Sequence, residues 1–462
     1  MKPVEGNTVY ELIHSQQMVQ FMWRYSIHMQ STQIPFAIAF DEQLDFKTLA
    51  FAVNVEIERN DCLRLRIFRD GLKIRQFFLD SFKLEKIILK EFSSKQEQTE
   101  YFNNDAARKL DVFGGETFRI IFFRDCDGKC GVYIKASHMI MDFVAVFLFF
   151  KDLMAVYDSL KNGTPMPKPL ARYEDIIKKV LADEGLEERI KRDSEALAER
   201  VRLDRRPAYN GIKGQELLEK QRRLLLNKKL DTPHSYLPVR DKTHLVKFRL
   251  DDEQSSKITD FIKKNNLSAE CVIQLGFRIY FSKLNGHTND SLFWVLCPRR
   301  KTVKEKRCGG TLASPLPWRE ILDDKSSFLE ASKQLGETQA FIFRHSEVPF
   351  TVVRQMERDE FGYALMQSAN DMMFSYLPSS GKDSFGDREF EFTAYNFGHY
   401  VMPIYALAMQ DSCSGRYGFS YSHRLWVTDD DDIRRFHEGV VRTISEGVTN
   451  PEKTIEEILE VV

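Results

Sequence analysis

The stretch from Thr117 to Gly163 limits what this chain can fold into more than any other part of it. TFRIIFF (117–123) and GVYIKAS (131–137) concentrate β-branched and aromatic residues on either side of the turn RDCDGK. That pattern reads as a β-hairpin. His138, Met139, Ile140, Met141 and Asp142 then lead into FVAVFLFFKDLMAVYDSLKNG, a helix of about 18 residues ending near Gly163, which Pro165 and Pro167 keep from extending. Upstream, residues 10–30 and 46–60 carry apolar side chains at helical spacing, and PFAIAF (35–40) reads as a strand. Strands and helices interleaved in this way predict an α/β or α+β fold.

The length of 462 residues predicts two or three folding units, at about 100–200 residues each. From about 174 to 230 the chain is dense in both charge signs with Glu, Lys and Arg at i,i+4 spacing, so YEDIIKKVLADEGLEERIKRDSEALAERVRLDRR (173–206) reads as exposed helix bridging two lobes. The second lobe resumes with a strand at 244–250, a helix opened by Asp251 and Asp252, and a buried helix from Ala269. Further strands are expected at 291–297, 371–377, 402–410 and 415–423. The acidic run 429–432 in TDDDD sits at the start of the last helix, where capping outweighs a cation site.

Composition excludes several classes. With 67 Lys and Arg against 68 Asp and Glu, the chain lacks the global positive field of a nucleic-acid or anionic-membrane binder. Its seven cysteines (62, 126, 130, 271, 297, 308, 413) are scattered without C-x-x-C spacing, which favours neither a disulfide framework nor a structural zinc site. Cys126 and Cys130 flank Asp127 and Gly128 and read as a turn. The longest apolar run, Phe143 to Phe150, is far short of the roughly 20 residues of a membrane span, and MKPVEGNTVY lacks an apolar signal region, so a cytoplasmic protein is expected. Thirty-six Phe residues imply large aromatic cores or an apolar channel.

Chemical motifs are mostly missing: no phosphate loop, dinucleotide turn, G-x-S-x-G elbow or H-E-x-x-H helix occurs. What stands out is KASHMIMDFVAVF, with His138 and Asp142 four apart where strand passes to helix. A histidine there suits proton transfer near neutral pH. Asp142, directly before an apolar helix, reads first as its N-cap.

This segment resembles the H-H-x-x-x-D-G motif of nonribosomal peptide synthetase condensation domains, within the chloramphenicol-acetyltransferase-like acyltransferases. Several flanking blocks appear in the same order. RNDCLRLRIF (59–68) resembles R-H-x-x-L-R through Arg59, Leu63 and Arg64; ARYEDII (171–177) resembles Y-x-D-Y. GGTLASPLPWR (309–319) resembles G-x-F-V-N-T-x-P-x-R through Gly310, Pro317 and Arg319, and RHSEVPF (344–350) is similar to H-x-D-V-P-F. NFGHY (396–400) echoes D-F-G-W-G only in Phe397 and Gly398 and reads as a turn.

The resemblance implies two lobes, 1–176 and 177–462, in a V with a tunnel at their interface. It makes His138 catalytic and Asp142 structural, the latter paired with an arginine for which Arg64 is the expectation, since a buried carboxylate needs a partner. Ser137 replaces the first His of the motif, Phe143 its Gly and Ser314 the Asn of the later block, so these three shape the tunnel differently from the family pattern. Arg299, Arg300 and Lys301 open a segment with six basic residues and one acid over 299–307; they are expected to hold a phosphopantetheine phosphate or dock a carrier protein, with a solvated loop as the even alternative. The activity implied is transfer of an acyl group from a carrier-bound or CoA thioester to an amine, or to an alcohol giving an ester. The chain is read as free-standing and monomeric, without a metal, a tightly bound cofactor, a membrane span or nucleic acid. The competing reading is a degenerate docking module without chemistry, which Ser137 and Phe143 favour.

Overall fold

The computed structural model describes residues 1–202, 205–233, 240–364, 367–369, 371–377, 385, 388–411 and 413–462. They form two compact units. The first comprises Met1–Leu186, Pro298–Ser314 and Ser380–His399, and the second Glu187–Cys297, Pro315–Ser379 and Tyr400–Val462. Among the described residues no helix is long and apolar enough to cross a membrane.

In the first unit the hairpin forms as the residue pattern requires. Phe118–Arg124 and Cys130–Ser137 run antiparallel, with Phe118 opposite Ala136 and Arg124 opposite Cys130. The turn is held by Asp125, whose Oδ1 accepts from the N–H groups of Asp127 (3.0 Å) and Lys129 (2.8 Å), while Gly128 takes the left-handed conformation at φ +82° that a side chain would oppose. Cys126 and Cys130 are both free thiols at this turn. Gln33–Phe40 pairs antiparallel with Cys130–Ser137, and Phe390–Ala394 with Gln33–Phe40; Ile88–Glu91 joins parallel to Phe118–Arg124. A separate three-stranded sheet has the order Val9–Glu11, Lys73–Phe78, Leu65–Asp70.

The helix after the hairpin spans Phe143–Asn162 and ends at Gly163 in the left-handed conformation, φ +64°. It packs on the helix Phe46–Arg59, which Asp45 caps through the N–H groups of Lys47 and Thr48. The abundance of Phe goes into packed aromatic cores here. Phe102 stacks on Tyr133 at 4.4 Å between centroids and meets Phe123 and Tyr395 edge-on or tilted. These pairs add to the burial of their area.

The second unit carries a six-stranded sheet in the order Ser314–Ile321, Asp290–Cys297, Met372–Leu377, Ile404–Gln410, Tyr417–Arg424, Thr243–Arg249. All of the strands anticipated there form. Asp251 caps the helix Asp252–Asn265, and Asp429 caps the helix Asp430–Thr449 by accepting from Asp432 N at 2.8 Å. The charged stretch 173–206 differs from a solvated helix. It breaks into helices Tyr173–Leu181 and Leu186–Arg200, each burying one face through Tyr173, Ile176 and Ile177 or through Ile190, Asp193 and Leu197. High charge density conceals an apolar stripe at i,i+3/i+4 spacing. Residues 203–204 of that stretch lie outside the described residues.

Candidate active site

His138 is the first residue past the strand Cys130–Ser137, and the loop that carries it has little freedom. Its N–H donates to Thr32 O (2.8 Å), and the N–H groups of Ile140 and Met141 return to Ser137 O (3.0 and 3.3 Å). Gln16 Nε2 donates to Met139 O at 3.0 Å. Met139, Ile140 and Met141 are fully buried, so three consecutive apolar side chains anchor the loop. Ser137 is buried too, and its hydroxyl accepts from Met139 N at 3.3 Å, a supporting role in the same turn.

Asp142 is buried and caps the following helix, Oδ1 accepting from Ala145 N at 2.9 Å. It does much more than cap. Arg300 Nη2 donates to both carboxylate oxygens (2.8 and 2.9 Å), and Oδ2 also accepts from the N–H groups of Leu312 (2.8 Å) and Ala313 (3.1 Å). Burial alone would raise the carboxyl pKa; the Arg300 charge and these N–H donors overcome it and hold the group below the ordinary carboxylate range. Arg300 also donates to the carbonyls of Glu305, Cys308 and Gly310 (2.7, 2.6 and 2.7 Å). The ion pair therefore fastens the segment 305–313 to the base of the apolar helix.

Two expectations are corrected by this geometry. Arg64 does not partner Asp142. Its guanidinium donates to the carbonyls of Leu79 (2.6 Å), Asp80 (2.9 Å), Ile57 (3.3 Å) and Glu58 (3.4 Å), the last two belonging to the end of the helix Phe46–Arg59. A cation there answers the negative end of that helix. Arg300 is not available to a phosphate or a carrier surface, because it is buried and spent on Asp142 and three carbonyls. Of its neighbours, Arg299 is half-buried with φ +51°, and Lys301 is exposed, its N–H donating to Glu305 Oε2 at 2.9 Å.

The segment held by Asp142 delivers Thr311, which the sequence reading missed. Thr311 Oγ1 donates to His138 O at 2.8 Å and lies 3.3 Å from His138 Nδ1. A hydroxyl has one hydrogen; with that hydrogen given to the carbonyl, Oγ1 can only accept from the ring. The neutral imidazole is therefore protonated on Nδ1 and carries its lone pair on Nε2. Thr311 is fixed in turn through its carbonyl, which accepts from Ser15 Oγ and Tyr173 OH, both at 2.9 Å. Gly310 has no room for a side chain, since a Cβ would lie 2.1 Å from the Tyr173 ring. No local signal marks Thr311: it stands 173 residues from His138.

Burial lowers the His138 pKa, and the Asp142 charge only partly offsets this. The ring is thus neutral at pH 7, and it is not fully enclosed. Phe143, in place of the motif's glycine, turns its ring edge-on to Phe36 (5.0 Å) and Phe392 (5.5 Å). Ser314 is buried, and its hydroxyl has no hydrogen-bond partner among the described residues.

Other residues of the motif blocks have partners of their own. Arg59 pairs with Asp152 (3.2 Å), and Asp61 caps the helix Tyr173–Leu181 through the N–H groups of Tyr173 (2.7 Å) and Glu174 (3.0 Å). Arg319 Nε donates to Asp290 at 2.7 Å, and His345 Nδ1 lies 2.9 Å from Phe341 O at a helix end.

The family described as condensation domain matches residues 6–194. One plipastatin synthase subunit of Bacillus subtilis (strain 168) is 21% identical over 465 residues, covering 97% of this chain and 17% of that protein. Surfactin synthase subunit 2 of the same organism is 20% identical over 361 residues, covering 77% of this chain and 9% of that protein. The chain thus spans less than a fifth of the curated relatives it matches. Among solved structures, the first condensation domain of the calcium-dependent antibiotic synthetase, in complex with a substrate analogue, superposes with a TM-score of 0.79 at 14% identity, covering 97% of this chain and 99% of that one. The starter condensation domain of rhizomide synthetase, in complex with C8-CoA and Leu-SNAC, gives 0.79 at 12% identity, covering 97% and 96%.

Proposed function

Since the chain has the mixed α/β, chloramphenicol-acetyltransferase-like fold of condensation domains and is homologous to those of nonribosomal peptide synthetases, we propose that it is an acyltransferase that moves an acyl group from a phosphopantetheine thioester to an amine. The observation that carries the reading is the Thr311 hydroxyl, 3.3 Å from His138 Nδ1 and donating to His138 O. With Nδ1–H directed at Thr311, the neutral ring presents a basic Nε2.

In this reading the acceptor amine attacks the thioester carbonyl while Nε2 takes the proton that the nucleophile must lose. The tetrahedral intermediate then collapses, the carbon–sulfur bond breaks, and the imidazolium returns the proton to the departing thiolate. The products are an amide and a free thiol, and no electrons change hands. Asp142 and Arg300 do not touch the reacting atoms; they hold the Leu312 and Ala313 backbone that sets Thr311 against the ring. Such pre-positioning is worth a large share of a rate enhancement.

The family's two lobes, residues 1–176 and 177–462, with donor and acceptor arriving through a tunnel, belong to the same proposal. So do Arg299 and Lys301 as contacts for a phosphopantetheine phosphate or a carrier protein. The rhizomide synthetase domain was solved with C8-CoA and Leu-SNAC, which supports an acyl thioester as donor and an amino group as acceptor here.

The test is mass spectrometry of reactions containing an acyl carrier-protein or CoA thioester with amine or alcohol acceptors. An amide formed by the wild type and not by His138→Ala supports the proposal. An ester alone moves the chain to the O-acyltransferases, and equal yields from both proteins leave only a docking role.

A further inference from the structure

Away from the residues of the proposed reaction, the second unit gathers two histidines and a carboxylate. His244 on the strand Thr243–Arg249 is the cross-strand partner of His423 on Tyr417–Arg424. Asp430, the first residue of the helix Asp430–Thr449, reaches toward both. Its Oδ1 is 2.8 Å from His244 Nδ1 and 2.9 Å from His423 Nε2, and the three ligating atoms all lie within 4.8 Å of one another.

The hydrogen-bond inventory at His423 singles out this cluster. The ring is completely buried, and its Nδ1 lies 3.2 Å from Thr428 O. Thr428 O and Asp430 Oδ1 both only accept, whereas a neutral imidazole has one N–H to give, so one of its two nitrogens meets an acceptor with no hydrogen between them. A cation between Nε2 and Oδ1, 2.9 Å apart, lets Nδ1 keep its hydrogen for the carbonyl and satisfies both contacts. A proton would serve one pair; a metal ion would serve all three donors, including the second imidazole that converges on the same oxygen.

We propose that His244 Nδ1, His423 Nε2 and Asp430 Oδ1 form a binding site for a divalent transition metal, with zinc as the reference ion. Two imidazoles and one carboxylate suit zinc, nickel or copper, whereas magnesium and calcium prefer oxygen alone. The carbonyl of Thr428 acts as the outer partner that metal-bound histidines ordinarily have, fixing the ring that coordinates. His244 and Asp430 are half-exposed, at 52% and 46% of their side chains, which leaves a fourth position open to water. Tetrahedral zinc sets its ligand atoms about 3.3 Å apart, so Oδ1 has to withdraw from both nitrogens by roughly half an ångström, on the exposed side of the cluster. The ion would join two neighbouring strands to the start of the last long helix.

The experiment is calorimetric titration of tag-free, chelator-treated full-length protein with zinc, and separately with magnesium. One zinc per chain is expected, with no comparable magnesium uptake. His244→Ala and Asp430→Asn each weaken zinc binding about tenfold or more, and zinc raises the melting temperature of the wild type but not of these variants. Both altered residues are surface-accessible, and Asp429 still caps the helix, so the variants are expected to fold; circular dichroism of the apo forms verifies this. Equal zinc affinity in wild type and variants, or no zinc binding by the wild type, overturns the proposal.

Discussion

Whether Arg300 or Arg64 answers the charge of Asp142 is open to a double-mutant cycle. Asp142→Asn removes the negative charge while keeping one acceptor for the helix cap; Arg300→Met keeps the length of the side chain without its charge. Either change alone leaves a buried, unpaired ion, and breaking such a pair costs about 3–5 kcal/mol. When both are made together, no charge is stranded. What remains is the loss of part of the hydrogen bonding to Leu312, Ala313, Gly310 and Cys308, at about 1 kcal/mol each. The double variant should therefore be less destabilised than the sum of the single variants by about 2 kcal/mol or more, as for residues in direct contact. The same cycle run with Arg64→Met should be additive to within about 0.5 kcal/mol, because that side chain is committed to carbonyls elsewhere. Urea unfolding followed by far-ultraviolet circular dichroism supplies the four free energies for each cycle. A coupling with Arg64 equal to that with Arg300, or additivity in both, would refute the assignment.

Other consequences follow from the same geometry. Thr311→Val should cut the acyl-transfer rate about tenfold to a hundredfold by freeing the His138 ring, with Thr311→Ser restoring most of it; unchanged kcat for the valine variant would remove Thr311 from the mechanism. The acidic limb of the rate profile should lie below pH 6.5, since burial depresses the His138 pKa, and a limb above 6.5 would contradict that. Glu270 in the second unit is buried, with its pKa pushed up to about 7 by desolvation despite hydrogen bonds from Gln274 and Gln339. Its folded form thus keeps a proton that the unfolded chain loses above about 4.5, so this group reduces stability as pH rises from 4.5 to 7, by up to about 3 kcal/mol. Glu270→Gln should accordingly be more stable than wild type at pH 8 and little different at pH 4, as read by melting temperatures at the two pH values. Phe143→Gly should destabilise by about 2–3 kcal/mol through lost ring contacts with Phe36 and Phe392, while product formation by the folded protein persists.

Local chemistry made most of the secondary structure legible. The hairpin, the helix that Asp142 starts and Gly163 ends, and the Asp251 and Asp429 caps all follow from residues within a few positions of one another. Motif spacing likewise marked His138 and Asp142. The partner of Asp142 was not legible, because two arginines of equal chemical merit lay at distances along the chain that carry no directional information. Arg64 was closer to a recognised block; Arg300 looked like part of a solvated basic loop, and nothing local reveals that one cation of six turns inward. Thr311 was harder still. Its importance comes from a hydroxyl hydrogen spent on a carbonyl far away in sequence, an exchange that no local residue pattern encodes. The helix Leu186–Arg200 was misjudged for a different reason: charge density obscured the apolar stripe that buries Ile190 and Leu197.

Acyl transfer by this route depends on a neutral His138 that accepts a proton from the nucleophile. The most direct measurement is the single-turnover rate of amide formation from a carrier-bound acyl thioester at pH 7, for wild type and for a folded His138→Ala protein. A rate lower by about a hundredfold or more in the variant, with thiol release falling in parallel, is the predicted result. Equal rates for the two proteins would contradict it.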